Sequence, residues 1–423
     1  MSVGPAPVQH SKTRIPFYRD TRVLAVLVQV VFAVFVVAFF VWLFGNMFGN
    51  LDSLGIRDFQ EPFFKIETVN GKTSFFPWFR FLYSSAGFDL LDTPINYTRQ
   101  DTYLRALTVG IINTLRIGII GIVLSTILGA LTGIARLSSN WLLSKIALTY
   151  IEIIRNTPLL VQLFFWYFAG LLALPRLKTG EEITALILPG PIIMSNRGIA
   201  MPWIRGTSTT AQWAIVVIAA IALAFLVSYL IKRQEIKRQQ PLRRTTWTFV
   251  VFFAVAAIGW LLLPVPPLRV EQPVIADTGF GFVGGMTVMP QLTAIVFGLV
   301  LYTGAFIAEI VRSGIQAVHK GQTEAARALG LRNGQMLRLI ILPQALRVII
   351  PPMTSQYLNL VKNSSLATAV AYPELFQISG TILNQTGRAV QVIMIVMLSY
   401  LTFSLVISAF LNWYNKRVQL VER

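Results

Sequence analysis

Residues 324–343 read EAARALGLRNGQMLRLIILP, a run of helix-forming residues broken once by Gly330 and closed by Pro343. This polar stretch is wedged between two strongly apolar ones in the last third of the chain. Ala325, Ala328 and Leu329 share one helical face at the i, i+3, i+4 spacing, giving a smooth apolar stripe able to slot into another protein. Gly330 ends that helix and permits a sharp turn. Asn333 is placed to cap the next helix, and Pro343 stands where that helix becomes an apolar span. An ordinary helical hairpin shares this local pattern, so the flanking sequence has to decide what it is.

The flanks are those of a membrane protein. The 423 residues are 55% hydrophobic and only 13% charged, with a mean hydropathy of +0.64, whereas soluble domains carry about 25% charged residues. Val23 to Phe44 contains no charge, and about 22 residues make roughly 33 Å of helix, enough to cross a bilayer. A signal peptide would have a shorter apolar core ending at small residues, whereas this one runs on into Trp42 and Phe44. Further apolar spans lie near 106–135, 147–174, 211–231, 245–264, 290–313, 340–361 and 390–414. The expected fold is therefore an all-α polytopic membrane protein of about eight transmembrane helices.

Charge sets the expected orientation, because Lys and Arg collect in cytoplasmic loops. With the N-terminal tail 1–22 inside, the densely basic 232–244 loop (KRQEIKRQQPLRR), the 321–343 loop and the C-terminal tail 416–423 all fall on the cytoplasmic side. The segments 45–105, 175–210 and 265–289 fall outside and are nearly balanced in charge. The first of these is rich in aromatics such as Phe63, Phe64, Phe75, Phe76 and Trp78. Residues 106–174 and 290–415 form the two halves of a core. Residues 175–289, rich in Pro and Gly outside two spans, read as an insertion of two extra helices between them.

Several function classes drop out. The net charge of +18 is accounted for by cytoplasmic loops, and no nucleic-acid-binding motif accompanies it. Cysteine is absent, which excludes disulfides, Fe–S clusters and thiolate metal sites. The two histidines, His10 and His319, are far apart, so neither a metal site nor a catalytic site is expected. No GxxxxGK[ST] phosphate loop is present, so the chain is read as a non-enzyme that binds no nucleotide.

Polar residues inside spans are costly, at about 2.5–3.5 kcal/mol each for the charged ones, and become functional candidates for that reason. Three clusters qualify: Asn113, Thr114 and Arg116; Lys362, Asn363, Ser364 and Ser365; and Gln385, Thr386 and Arg388. Together they would supply donors for a carboxylate and acceptors for an ammonium if they converged. Hydrogen bonding between helices and snorkelling of Lys362 or Arg388 are their structural alternatives. Glu152/Arg155 and Glu309/Arg312 are i, i+3 pairs read as structural ion pairs. A stand-alone secondary transporter or channel for small polar solutes would need a carboxylate deep in a span, for which Glu152 and Glu309 are the acidic candidates.

The residues also carry a resemblance. EAARALGLRNGQMLRLIILP resembles the EAA loop of ABC-importer permeases. Residues 302–423 are similar to permeases of the polar amino-acid uptake branch through AEIVRSGI (308–315), LPQALRVIIPPMTSQYLNLVKNSSLA (342–367), YPEL (372–375) and NWYNKR (412–417). The N-terminal half matches through NTLRIGIIGIVLSTILGALTGIARLS (113–138) and YIEIIRNTPLLVQLFFWY (150–167). The long N-terminus, the external segment and the extra helices, placed before SNRG (195–198), look like the larger permease of general L-amino-acid importers.

The resemblance implies a type I importer core in a bacterial inner membrane, working by alternating access. It implies a second permease subunit, two ATP-binding cassette ATPases that hold the ATP and Mg, and an external amino-acid-binding protein. It further implies that Gly321, Glu324, Ala325, Ala326, Ala328, Leu329, Gly330 and Leu331 receive force from those ATPases. TGRAVQ (386–391) departs from the resemblance, with Arg388 and Gln391 where Gln and Glu are expected. That implies a more positive mouth and a preference for acidic or neutral substrates.

Overall fold

The computed structural model describes residues 21–53, 67–69, 72–74, 77–179, 182–278 and 281–418. The expected tails 1–22 and 416–423 lie largely outside these residues, as do Phe63, Phe64, Phe75 and Phe76. The chain divides into two compact units, 1–84 and 85–423. The first holds helix α1, Thr21–Ser53, whose Val26–Leu43 stretch leaves apolar side chains exposed on every face. A helix that is apolar all round suits a lipid surrounding.

The second unit carries α2 (Tyr103–Arg136), α3 (Trp141–Asn156), α4 (Leu159–Phe164), α5 (Thr210–Arg238) and α6 (Arg244–Leu262). They are followed by α7 (Pro290–Gln316), α8 (Lys320–Ala328), α9 (Asn333–Met336), α10 (Leu342–Asn363), α11 (Leu375–Thr386) and α12 (Ala389–Val418). Among the described residues, seven helices are long and apolar enough to cross a membrane, one fewer than the eight expected. The expected span 147–174 is the exception. Pro158 has no N–H to donate and pushes Thr157 into an extended conformation, φ −103° and ψ 128°, so α3 stops there. A shorter apolar helix, Leu159–Leu171, resumes beyond it, passing from α4 into a π-helical turn over Phe165–Leu171. Gln162 bridges the break, its Nε2 donating to the carbonyls of Ile154 (2.8 Å) and Thr157 (2.9 Å).

Helix α7 is the centre of the core and α2 lies along it. Small residues recur every fourth position on α2 (Gly121, Ser125, Gly129, Gly133), and all four are buried. A Cβ on Gly129 would sit 2.6 Å from Ile307, and one on Gly133 would sit 2.6 Å from the Ala308 carbonyl. Between membrane helices, where water offers no hydrophobic drive, such close backbone approach supplies the packing energy. Gly129→Val is expected to cost about 1–3 kcal/mol through overpacking. Lowered thermal stability of the detergent-purified protein checks this.

The insertion is richer than two helices. Helices α5 and α6 pair as a hairpin, with Trp213 Nε1 donating to the Ala256 carbonyl at 3.2 Å and Trp213 edge-on to Trp260. At its base the expected Pro/Gly-rich loops fold into short strands. Leu186–Leu188, Ile192–Ser195, Gly198–Met201 and Met286–Val288 form one antiparallel sheet, with Met201 opposite Met286. Trp203–Gly206 pairs with Leu268–Glu271. Leu177, Ala185, Ile193 and Ala200 make a small core under the sheet. The last strand runs straight into α7, so the sheet anchors that helix's first turn.

Candidate functional site

Two places concentrate the chemistry. The first is a polar corner where the chain breaks between the 3₁₀ turn Ser364–Val370 and α11. Ala371 turns the chain with a left-handed φ of +56°, and Tyr372, Pro373 and Glu374 follow, all buried. Thr114, opposite this corner, is 11 residues into α2, or about 17 Å from its Tyr103 end. A non-helical backbone buried that deep needs its polar groups met by protein.

Three side chains meet them. Asn113 Nδ2 donates to the Pro373 carbonyl at 2.9 Å and to the Asp92 carbonyl at 3.0 Å. Thr114 Oγ1 accepts from the Leu375 N–H at 3.1 Å. Glu374, 0% exposed, caps α11 by accepting from the N–H groups of Phe376 (2.9 Å) and Gln377 (2.7 Å). Its remaining capacity is taken by the hydroxyls of Tyr400 at 3.0 Å, Thr368 at 3.3 Å and Thr114 at 3.5 Å.

A charge pair closes the corner. Arg116 Nη1 is 3.1 Å from both carboxylate oxygens of Asp92, and the Tyr372 hydroxyl donates to the same carboxylate at 3.0 Å. Asp92 belongs to the segment 85–101, which holds its own shape. Asp89 pairs with Arg99, whose guanidinium keeps the Asp89 carboxyl below the usual range. Tyr97 donates to the Phe88 carbonyl, and burial, aided by Asp101, pushes its hydroxyl up to about 12. Segment, α2 and corner are thus latched together by hydrogen bonds and one ion pair.

The three expected clusters do not converge on one point. Asn113, Thr114 and Arg116 serve the corner. Ser364 is buried beside it, its hydroxyl donating to the Val361 carbonyl at 2.7 Å, whereas Lys362 is exposed and Ser365 bonds to the Lys362 carbonyl. Asn363 is half-buried. Gln385 accepts from the Tyr103 hydroxyl at 3.1 Å, ten residues, or about 15 Å, along α2 from Asn113. Thr386 bonds back to the Ile382 carbonyl and accepts from the Arg388 N–H. Gln391 is 1% exposed and lies inside the fold, so it sets no charge at a mouth.

Sequence reasoning missed Asp92, Tyr372, Glu374 and Tyr400. Glu152 and Glu309 are therefore not the whole set of acidic candidates, since Glu374 is the most buried carboxylate among the described residues. Its signal was present in YPEL: a carboxylate one residue before a helix start is a cap. The expected ion pairs divide. Glu309 and Arg312 pair at 2.5–3.1 Å. Glu152 instead accepts from Asn156 at 3.4 Å, and Arg155 lies over the Phe306 ring at 5.2 Å, because a guanidinium gains from an aromatic face as well as from a carboxylate.

The second place is the element 320–341. His319 Nδ1 accepts from the Gly321 N–H at 3.1 Å and starts α8, a use of His319 that sequence reasoning did not foresee. Gly330, φ +75°, ends it: its N–H reaches the Arg327 carbonyl and the Leu331 N–H reaches the Ala326 carbonyl. These are the two bonds of a Schellman motif. Ala326, Met336 and Ile341 form a small core with Leu331 against it. Asn333 is the first residue of α9 rather than its cap; the preceding Arg332 N–H is held by Gln335 Oε1 at 3.1 Å. Pro343 follows a π-helical turn, Leu337–Ile341, consistent with a ring that cannot donate to the carbonyl four residues back. Glu324, Ala325 and Ala328 are exposed, Leu329 is 79% exposed and Leu339 is 62% exposed. The apolar stripe expected from the sequence is left free.

Residues 121–420 match the family described as binding-protein-dependent transport system inner membrane component. The chain belongs to that family. Members are transport components of membranes, and the match covers the 320–341 element and the Ser364–Thr386 side of the polar corner. The chain is also 42% identical to the permease protein YhdX of Escherichia coli, over 96% of this chain and 97% of YhdX. It is 39% identical to the general L-amino acid transport system permease protein AapQ of Rhizobium johnstonii, over 96% of this chain and 94% of AapQ. The glutamate/glutamine/aspartate/asparagine transport system permease protein BztB of Rhodobacter capsulatus is 38% identical, over 96% of both chains.

Proposed function

We propose that this chain is the permease subunit of an ATP-driven importer of polar L-amino acids in a bacterial inner membrane. Similarity to AapQ and BztB along almost the whole chain carries this reading. Both termini and the 320–341 element lie in the cytoplasm, in keeping with the basic 232–244 loop. There the free stripe of Ala325, Ala328 and Leu329 docks on ATPase subunits, which hold the ATP and Mg. A second permease completes the membrane part, and an external binding protein delivers substrate. ATP-driven closure of the ATPases moves α8 and α9, and the core switches between inward and outward access.

Co-expression with an ABC-type ATPase subunit from the same organism tests the assignment. The two should co-purify, and vesicles should take up glutamate or glutamine only with ATP and binding protein. Uptake without any ATPase, driven by an ion gradient, would favour a stand-alone transporter. Glu374, whose oxygens are already met by five donors, is poorly suited to that rival's proton or ion exchange.

Half-buried Arg388 keeps its proposed part in favouring acidic or neutral substrates, without Gln391. Competition by unlabelled arginine or lysine should be weak in the natural chain and severalfold stronger in Arg388→Gln. Equal competition in both would remove that role.

A further inference from the structure

The inserted hairpin turns through a strongly cationic stretch. Lys232, Arg233, Lys237, Arg238, Arg243 and Arg244 set six cations against one carboxylate, Glu235. Among the described residues none of the six forms an ion pair; Arg244 is half-buried and the other five are exposed. Orienting a hairpin in a membrane calls for such charges but not for a shaped pocket, and here there is one. Gln239 turns the chain with a left-handed φ of +53°, and the Glu235 carboxylate holds the turn by accepting from the Leu242 N–H at 3.0 Å. A cavity of about 470 Å³ lies against this turn, walled by Glu235, Leu242, Arg243, Arg244, Thr245 and Thr246.

Helix lengths put the cavity at the level of lipid headgroups. The far ends of the two helices are tied level, Thr209 and Thr210 donating to the carbonyls of Val265 and Pro267 at 2.8 and 2.6 Å. Helix α6, 19 residues or about 28 Å, matches a hydrocarbon core of about 30 Å, so Arg244 at its start stands at the edge of that core. Helix α5, 29 residues or about 43 Å, overruns the core by about 13 Å, which carries residues 232–238 into the headgroup layer. Tyr229 and Trp247, both exposed, mark the same boundary, where amphipathic rings collect. On the core side of them, Phe225, Leu226, Phe249 and Phe253 are exposed and apolar.

We propose that the basic end of this hairpin binds anionic phospholipids, with Arg243 and Arg244 donating to the headgroup phosphate and Thr245 and Thr246 adding hydroxyl donors. The planar guanidinium fork matches phosphate oxygens better than an ammonium does. The four cations of α5 draw net-negative headgroups to the surface, as juxtamembrane basic clusters do, and the acyl chains lie along the exposed apolar side chains. Glu235 is in the wall as well: one of its oxygens holds the turn, and the other remains to accept from the hydroxyls of a glycerol headgroup, which favours phosphatidylglycerol. An acidic protein segment would satisfy the charges but leave the apolar side chains beside them uncovered. The inference needs only the membrane placement of the helices and is independent of the import reading.

The test titrates the full chain, purified in detergent, with fluorescent phosphatidylglycerol and, in parallel, fluorescent phosphatidylcholine. Phosphatidylglycerol should bind the more tightly, and the difference should shrink in high salt, which screens surface charges. Arg243→Gln/Arg244→Gln should weaken phosphatidylglycerol binding about tenfold and leave phosphatidylcholine unchanged, with the four remaining cations preserving the hairpin's orientation. Arg243→Lys/Arg244→Lys keeps the charge without the fork and should fall between. Equal phosphatidylglycerol affinity in the natural chain and the Gln variant would overturn the site. Displacement of the lipid by millimolar inorganic phosphate would overturn it in favour of a soluble anion. Loss of a co-purified ATPase subunit with lipid affinity unchanged would overturn it in favour of a protein partner. Should the Gln variant misfold, the natural chain decides: phosphatidylglycerol binding that does not respond to salt would overturn the proposal.

Discussion

Glu374→Ala is expected to prevent normal accumulation of the protein in the membrane. The substitution strips the cap from α11, worth about 1 kcal/mol. It also leaves the half-buried Tyr400 hydroxyl without its acceptor, at about 1–3 kcal/mol. A total of about 2–4 kcal/mol is a large fraction of the net stability of many domains. Glu374→Gln keeps one acceptor oxygen but turns an NH₂ group toward donors, so it should fall between the two. Membrane abundance and thermal unfolding in detergent give the ranking. Equal abundance of Glu374→Ala and the natural chain would mean that the corner does not depend on this cap.

Gly330→Pro is expected to abolish ATP-driven uptake while leaving membrane insertion intact. Proline has no N–H for the Arg327 carbonyl and is locked near φ −65°, far from the +75° observed. The Schellman bonds are lost, and Leu331 no longer closes over Ala326. Gly330→Ala keeps the N–H and carries only the left-handed penalty of about 1–2 kcal/mol, so it should retain a substantial share of uptake. Glu324→Lys reverses an exposed charge on the same element without disturbing its fold, and should uncouple ATP hydrolysis from uptake. Measuring uptake together with ATPase stimulation separates folding from coupling. Full transport in both Gly330→Pro and Glu324→Lys would end the proposed coupling role of 320–341.

Long-range hydropathy made the membrane helices legible, and seven of the eight expected spans are single apolar helices. The eighth failed at Thr157-Pro158, where one proline outweighs the surrounding hydropathy. The strands around 186–206 and 268–288 escaped notice because they are two to four residues long, too short to show alternation. They gain their partners from across an insertion. Gly330 was legible because a left-handed helix end has a residue signature. The corner was half legible: the cost of Asn113 and Thr114 marked them, but their partners Pro373 and Leu375 lie some 260 positions away. Buried polar residues answered a break in the backbone that only the fold reveals.

The sheet at the base of the inserted hairpin has a practical corollary. Met201 and Met286 face each other on adjacent strands, so the chain leaves and re-enters about 5 Å apart. Everything from 202 to 285 is, topologically, a detachable cassette. A two-residue turn joining those strands would excise both α5 and α6 and leave the first turn of α7 anchored. The hairpin can therefore be removed while the α7 anchor is kept, provided that apolar substitutes replace Ile275 and Phe282 on the small core under the sheet, and its service to the importer can be assayed by that removal.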